Sequence, residues 1–139
     1  MSGLPIVKGT GTIVANPELR FTTSGTPVTN VSIAFNERKL VNGEWEDGEA
    51  TFLRCVIWRS MAENAAESLT KGMRVTVEGE LRPNNYDVDG ETRYGFELNV
   101  SEIAPSLRFA TAKVTKQPGR ETTPESKAVQ KTNRPARSR

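Results

Sequence analysis

The 139-residue sequence contains no histidine and only one cysteine, Cys55. Without these residues the chain cannot supply the usual zinc ligand sets, a Ser/His/Asp triad or a Cys/His dyad. It also lacks a glycine-rich phosphate loop and a dinucleotide-binding fingerprint. The acidic residues fall mostly in predicted turns and on polar strand positions, where solvated charge is their usual role. We therefore predict that the protein is not an enzyme and binds no metal or cofactor.

Long apolar runs are absent as well. No stretch approaches the roughly 18 apolar residues that a membrane-spanning helix needs. The first ten residues, MSGLPIVKGT, lack the basic and apolar regions of a secretory signal. A single cysteine cannot form an internal disulfide, which agrees with a reducing compartment. The sequence thus predicts a cytoplasmic protein with no membrane partner.

Charge is divided unevenly along the chain, although the net charge is only +2. Residues 1–111 carry eleven Lys or Arg against fifteen Asp or Glu, whereas residues 112–139 carry eight against two. From Ala112 onward aromatic residues are absent and Pro, Thr, Ser, Lys and Arg dominate, a composition typical of disorder. We expect one folded domain over residues 1–111 and a disordered basic tail over residues 112–139.

Alternation of apolar and polar residues predicts five strands in the folded part. The expected strands are residues 4–15, 28–36, 51–58, 75–81 and 93–100, the last with Tyr94, Phe96, Leu98 and Val100 on its apolar face. Turn signals stand at Asn42-Gly43, Asp47-Gly48 and Asp89-Gly90. A capping box at Ser60–Glu63 opens an amphipathic helix between the third and fourth strands.

Three strands, one helix and two strands follow the order of a known all-β architecture. This order is that of the five-stranded Greek-key barrel called the OB-fold, which we predict with its one α-helix between strands 3 and 4. A small β-sandwich and an α+β sheet with one covering helix are the alternatives. In an OB-fold the ligand face is formed by strands two and three with the neighbouring hairpin loops.

The third strand has two faces of different composition. One face carries Leu53, Cys55 and Ile57, and the other carries Phe52, Arg54, Val56 and Trp58. The first face is apolar, and we predict that it lies in the core. The second face, followed by Arg59, interleaves aromatic rings with a cation, as in a platform that stacks bases and anchors phosphates. Packing of the two rings in a dimer interface or another core layer is the alternative interpretation.

Further candidates for nucleic-acid contact lie in the hairpins and on neighbouring strands. Tyr86, in the hairpin of residues 83–93, is expected to project and to stack on a base. For Trp45, in the loop after strand two, contact with a nucleotide and packing against its own hairpin are equally good interpretations. The polar candidates, which border the same face, are Lys8, Asn30, Arg38, Lys39, Arg74, Arg82 and Arg93.

Several segments, in the same order, resemble the bacterial single-stranded-DNA-binding protein family, most closely its actinobacterial branch. The segments are NPELRF (16–21), TSGTPVTNVSIA (23–34), FLRCVIWRSMAENAAESLTKGMRVTVEGELR (52–82) and RFATAKV (108–114). The resemblance implies an OB-fold homotetramer that binds single-stranded DNA and protects it in replication, recombination and repair. It also implies base stacking by Phe52, Trp58 and Tyr86. Arg38 or Lys39 stands near the place of a family tryptophan in the loop after strand two.

The carboxyl end departs from the family pattern. Replicative members end in an acidic tip that closes in proline and phenylalanine and recruits other proteins, whereas this chain ends NRPARSR. We therefore expect a paralogous or phage-encoded member that protects DNA without that recruitment. The alternative function is a protein-interaction or assembly module on the same fold, including a paralogue whose partners are other subunits of the family.

Overall fold

The computed structural model describes residues 3–118, which form eight strands and one helix. In chain order the elements are β1 (Ile6–Ile13), β2 (Glu18–Phe21), β3 (Pro27–Val41), β4 (Glu44–Trp58), α1 (Arg59–Ser68), β5 (Arg74–Pro83), β6 (Tyr86–Val88), β7 (Glu91–Arg93) and β8 (Phe96–Pro105). The five predicted strands correspond to β1, β3, β4, β5 and β8. The short strand β2 and the hairpin β6–β7 are additions that the alternation of residues did not predict.

The strands close into a barrel. Six of them form one sheet in the order β1-β5-β8-β4-β3-β2, and β1 also pairs with β3, for example through Thr12 and Ala34. The contact between β4 and β8 is parallel, and the other pairings in this sheet are antiparallel. A closed five-stranded barrel with one helix after its third strand confirms the predicted OB-fold.

The inward-facing residues of the barrel strands form one core with the helix. Its buried members are Ile13, Val31, Ile33, Cys55, Ile57, Ala62, Ala65, Leu69, Val75, Val77, Leu98 and Val100. The predicted inner face of the third strand is confirmed, with Leu53 only partly buried at its end. The buried Thr29 hydroxyl on β3 shares its proton between the carbonyl oxygens of Glu18 on β2, at 3.2 Å, and of Ala62 on the helix, at 3.4 Å, and so links the helix to the barrel.

Two of the three predicted turns are present. Asn42-Gly43 joins β3 to β4 and Asp89-Gly90 joins β6 to β7, and all four residues have positive φ, as a type I′ hairpin turn requires. The predicted turn at Asp47-Gly48 is wrong because these residues lie within β4. The pairs Asn36–Ala50 and Arg38–Asp47 leave one extra residue on β4, so the chain forms a β-bulge there instead of turning.

The helix begins earlier than the capping box predicts. Arg59, with a φ of 62°, is its first residue, and Trp58 occupies the N-cap position without a side-chain capping hydrogen bond. Ser60 therefore lies inside the first turn, and its prediction as the N-cap is wrong. The reason is that β4 stays paired up to Trp58, opposite Val28, so strand and helix meet without a loop.

The predicted tail is described only in part. Residues 112–118 have no regular secondary structure, and residues 119–139 lie outside the described residues. The domain boundary at residue 111 therefore stays a prediction. Within residues 3–118 no helix has the length and apolar character needed to cross a membrane.

Burial of Cys55 predicts a dependence of stability on alkaline pH. Loss of hydration raises the pKa of the Cys55 thiol from 9.0 to about 12. Above pH 9 the unfolded chain releases this proton while the folded chain keeps it, so the stabilisation is complete below pH 9 and is lost as the pH rises towards 12. We expect the free energy of unfolding to fall more steeply in the wild type than in Cys55→Ala, by up to about 1.4 kcal/mol per pH unit. Urea unfolding followed by circular dichroism measures both slopes, and equal slopes would contradict the prediction.

Candidate nucleic-acid interface

The outer face of β4 carries exposed aromatic side chains. Phe52 is 65% exposed and Trp58 is 40% exposed, whereas Cys55 and Ile57 on the inner face are fully buried. The two aromatic residues stand six positions apart on one strand, which separates them by about 20 Å. Both rings face water, so their packing inside a core layer of this chain is excluded.

Val56 lies on the same outer face but is only 6% exposed. Its neighbours across the sheet are Asn30 on β3 and Asn99 on β8, and Arg54 and Trp58 flank it along β4. All four side chains are longer than that of valine, so Val56 lies below their tips. The rings of Phe52 and Trp58 are therefore separated by a shallow apolar depression at Val56 and do not form one continuous row.

Arg54 occupies the middle of a charged row. It pairs with Ser32 on β3 and with Glu97 on β8, and Glu97 in turn pairs with Arg82 on β5. In the described part of the chain neither Arg54 nor Arg59, which follows Trp58, takes part in an ion pair. Both guanidinium groups are exposed and available to an anion from solution.

The hairpin of β3 and β4 extends the same outer face beyond the barrel. Because β3 alternates without interruption from Ala34, the partner of Phe52, both Arg38 and Leu40 lie on this face. The bulge in β4 compensates for the odd spacing between Trp45 and Phe52, so Trp45, which pairs with Leu40, also lies there. Trp45 is 62% exposed and Leu40 is 60% exposed.

The two cations of this hairpin are placed differently. Arg38 Nη1 donates to Asp47 Oδ1 at 3.0 Å, so an acidic neighbour already balances its charge. Lys39 pairs with Glu46 and lies on the opposite face of the hairpin from Trp45. Of the two, only Arg38 borders the aromatic face.

The hairpin of β6 and β7 carries a second aromatic group. Tyr86 is 53% exposed and pairs with Arg93, whose guanidinium lies 3.9 Å from Glu91. Tyr94 and Phe96 are also exposed, at 80% and 62%. Their prediction as part of the apolar face of strand five is wrong because β8 begins at Phe96, so one residue precedes the strand and the other lies at the rim of the barrel.

The exposure of these two aromatic residues was not predicted from the sequence. The available signal was Gly95, which separates two aromatic residues directly after a hairpin turn and favours a break in the strand. Arg20 on β2 was also not predicted as a cation near Trp58. It stands in one row with Val28 and Trp58, and it forms an ion pair with Glu18 at 3.2 Å.

Two of the predicted phosphate contacts lie away from the β4 face. Lys8 on β1 pairs with Glu78 on β5, and in the order of the sheet β5 and β8 lie between Lys8 and β4. The guanidinium of Arg74 lies 5.7 Å from the centre of the Phe109 ring, in a cation–π contact. The structure therefore groups Arg54, Arg59 and Arg82 near the β4 rings and leaves these two cations outside.

Charge differs between the two halves of the outer surface. On this face β5 and β8 carry four acidic residues, Glu78, Glu80, Glu97 and Glu102, against Arg74 and Arg82, whereas β3 and β4 carry Arg38 and Arg54 against Asp47. An anionic ligand is therefore favoured over β3 and β4. The described residues contain no group of three or more His, Cys, Asp or Glu that could hold a metal ion. What the surface offers is rings and guanidinium groups, which can stack on flat ligands and bind phosphates.

Comparisons with known proteins give concordant results. The Single-strand binding protein family matches residues 7–106. Single-stranded DNA-binding proteins of Mycolicibacterium smegmatis and Mycobacterium tuberculosis are each 51% identical over 119 residues, covering 84% of this chain and 72% and 73% of theirs. The crystal structure of a small single-stranded DNA-binding protein from Streptomyces coelicolor has a TM-score of 0.69 at 24% identity and covers 76% of this chain and 97% of that one. This structural similarity supports the barrel fold.

Proposed function

Because the chain belongs to the single-strand binding protein family, we propose that it binds single-stranded DNA without regard to sequence and protects it in replication, recombination and repair. The observation that carries the proposal is the exposure of Phe52 and Trp58 on the outer face of β4, with Arg54 between them in no ion pair of the described residues. Every base has a π-face that can stack on such rings, and a duplex hides it. The surface therefore favours single-stranded over double-stranded DNA. Family membership also implies binding without catalysis, as the sequence predicts.

The proposed binding surface combines stacking with phosphate contacts. Phe52, Trp58 and Tyr86 would each contribute about 1–3 kcal/mol by stacking on a base. The roughly 20 Å between Phe52 and Trp58 spans about six phosphates at the spacing of a stacked strand, and fewer of an extended one. Arg54 and Arg59 are the nearest cations for those phosphates. The predicted contacts of Arg38 and Arg93 are weaker members of this proposal, because each guanidinium already faces a carboxylate.

The alternative function, a protein-interaction module on the same fold, is not favoured. The curated relatives at 51% identity are named for binding single-stranded DNA. The exposed rings and cations of the β4 face suit that ligand directly. A location with DNA in the cytoplasm remains part of the proposal.

We extend the proposal to a homotetramer. Among the large apolar side chains exposed outside the DNA-binding surface are Ile6 on β1 at 62%, Leu107 at 65%, Phe109 at 79% and Val114 at 89%. Exposed apolar surface is often covered by another chain, so we take these residues as the candidates for the contact between subunits. Contact through them would leave the outer face of β4 free for DNA.

Loss of a stacking ring tests the function. Trp58→Ala should weaken binding of a fluorescently labelled oligo-dT by more than about 1 kcal/mol, or about fivefold in Kd, because one base loses its stacking partner. Phe21→Ala is the matched control, since Phe21 is 61% exposed but lies on the opposite face of the sheet from Trp58. Fluorescence anisotropy measures both affinities. Equal losses in the two variants, or equal affinity of the wild type for duplex and single strand, would count against the function.

Salt dependence tests the phosphate contact of Arg54. The plot of log K against log salt should have a slope of about −0.7 per phosphate contacted, and Arg54→Gln should make it shallower by about 0.7 for each subunit engaged. Lys39→Gln removes the same charge from the opposite face of the hairpin and should leave the slope close to that of the wild type. The proposed contact is wrong if both variants change the slope equally or if binding does not depend on salt.

Sedimentation equilibrium tests the assembly. The expected mass is four times the 15.3 kDa of one chain, and Phe109→Ser with Val114→Ser should lower it because the apolar contact is lost. Leu40→Ser is the control, since Leu40 is 60% exposed but lies on the hairpin assigned to DNA. A monomer in the wild type would refute the tetramer.

A further inference from the structure

Three neighbouring strands place two side-chain amides on either side of Val56. Val56 on β4 pairs with Asn30 on β3 and with Asn99 on β8, so all three side chains lie on the outer face. Adjacent strands are about 4.8 Å apart, which separates the Cα atoms of the two asparagines by about 10 Å. We call Asn30, Val56 and Asn99 the amide row.

The two amides do not stabilise the sheet through hydrogen bonds. Both asparagines are partly buried, and in the described part of the chain neither side chain has a hydrogen-bond partner. No buried polar side-chain atom in residues 3–118 lacks a partner, so the amide atoms of the row must reach solvent. Asparagine is also depleted in strands because it packs poorly there. These residues therefore reduce the stability of the strands slightly and keep their hydrogen-bonding groups free for a ligand.

The amide row lies between the elements proposed to hold DNA. Along β4, Val56 is two residues from Arg54 on one side and two residues from Trp58 on the other, or about 7 Å from each. Val56 itself is 6% exposed, so the surface between the two amides is apolar. Hydrogen bonds next to an apolar surface are stronger than in bulk water, because the local dielectric constant is lower.

We propose that Asn30 and Asn99 form a base-edge subsite, which hydrogen-bonds the Watson–Crick edge of an unpaired base held next to Trp58. This inference rests on the proposed function. A side-chain amide offers both donors and an acceptor, so it can match the mixed donor and acceptor pattern of any base edge by turning over. The subsite is therefore tolerant of sequence. It adds a second criterion for single strands, because a duplex has its base edges already paired as well as its faces covered.

The test uses an oligo-dT and an oligomer of the same length in which every thymine carries a methyl group on N3. The methyl group removes the N3–H donor and blocks the edge, while the π-face and the phosphates remain. The wild type should bind the methylated oligomer about three- to tenfold more weakly, the effect of one or two neutral hydrogen bonds. The double variant Asn30→Ala with Asn99→Ala should bind the two oligomers with nearly equal affinity.

Asn36→Ala is the matched control. Asn36 lies on the same strand and face as Asn30 but pairs with Ala50, beyond Phe52, so this variant should keep the wild-type ratio of affinities. The subsite is refuted if the double variant keeps that ratio or if Asn36→Ala abolishes it equally. Each single variant should reduce the ratio in part, which keeps the test valid if circular dichroism shows the double variant unfolded. If the wild type binds neither oligomer, the proposed function fails and the subsite fails with it.

Discussion

The register between β3 and β4 is the constraint on which the rest of the structure depends. Side chains alternate between the two faces of a strand, so a slip of one residue would turn Phe52, Arg54 and Trp58 inward and expose Cys55 and Ile57. Two features hold the register. The type I′ turn at Asn42-Gly43 fixes the pairing at one end, and burial of Cys55 and Ile57 fixes it at the other. The two ends differ by one residue on β4, and the bulge opposite Glu37 absorbs that difference.

Much of this arrangement follows from local sequence. The alternation of side chains along β4 correctly placed Cys55 and Ile57 on one face and Phe52 and Trp58 on the other. It succeeded because β4 has the core on one side and solvent on the other. The same rule failed where the barrel ends. Tyr94 and Phe96 continue the apolar alternation of β8, but no core exists beyond the rim for them to enter. Alternation predicts a face, and burial requires a partner that the local sequence does not specify.

Other features depend on pairings between residues distant in the sequence. Val56 is buried although it lies on the outer face, since its neighbours come from β3 and from the parallel strand β8. Asp47-Gly48 has the composition of a turn, yet the chain turns earlier, at Asn42-Gly43, and the pairing of β3 then carries those residues into β4. The cations could be listed from the sequence, but the ion pair of Arg38 with Asp47 could not. Such exposed pairs contribute at most about 1 kcal/mol, so a phosphate can compete with the carboxylate for the guanidinium.

The contrast between a fixed centre and projecting hairpins suits a ligand that has no defined sequence. Trp58 ends β4 and occupies the N-cap position of α1, and the hydrogen bond from Thr29 to Ala62 ties that helix to the core. The position of Trp58 is therefore set before any ligand binds, which lowers the entropic cost of binding. Trp45 and Tyr86 stand on hairpins whose residues are almost all exposed, with few core contacts to hold them. Elements of that kind open and shift at low free-energy cost. Trp58 can thus fix where a DNA strand binds. The hairpins that carry Trp45 and Tyr86 can then adjust to the path of the DNA backbone on either side.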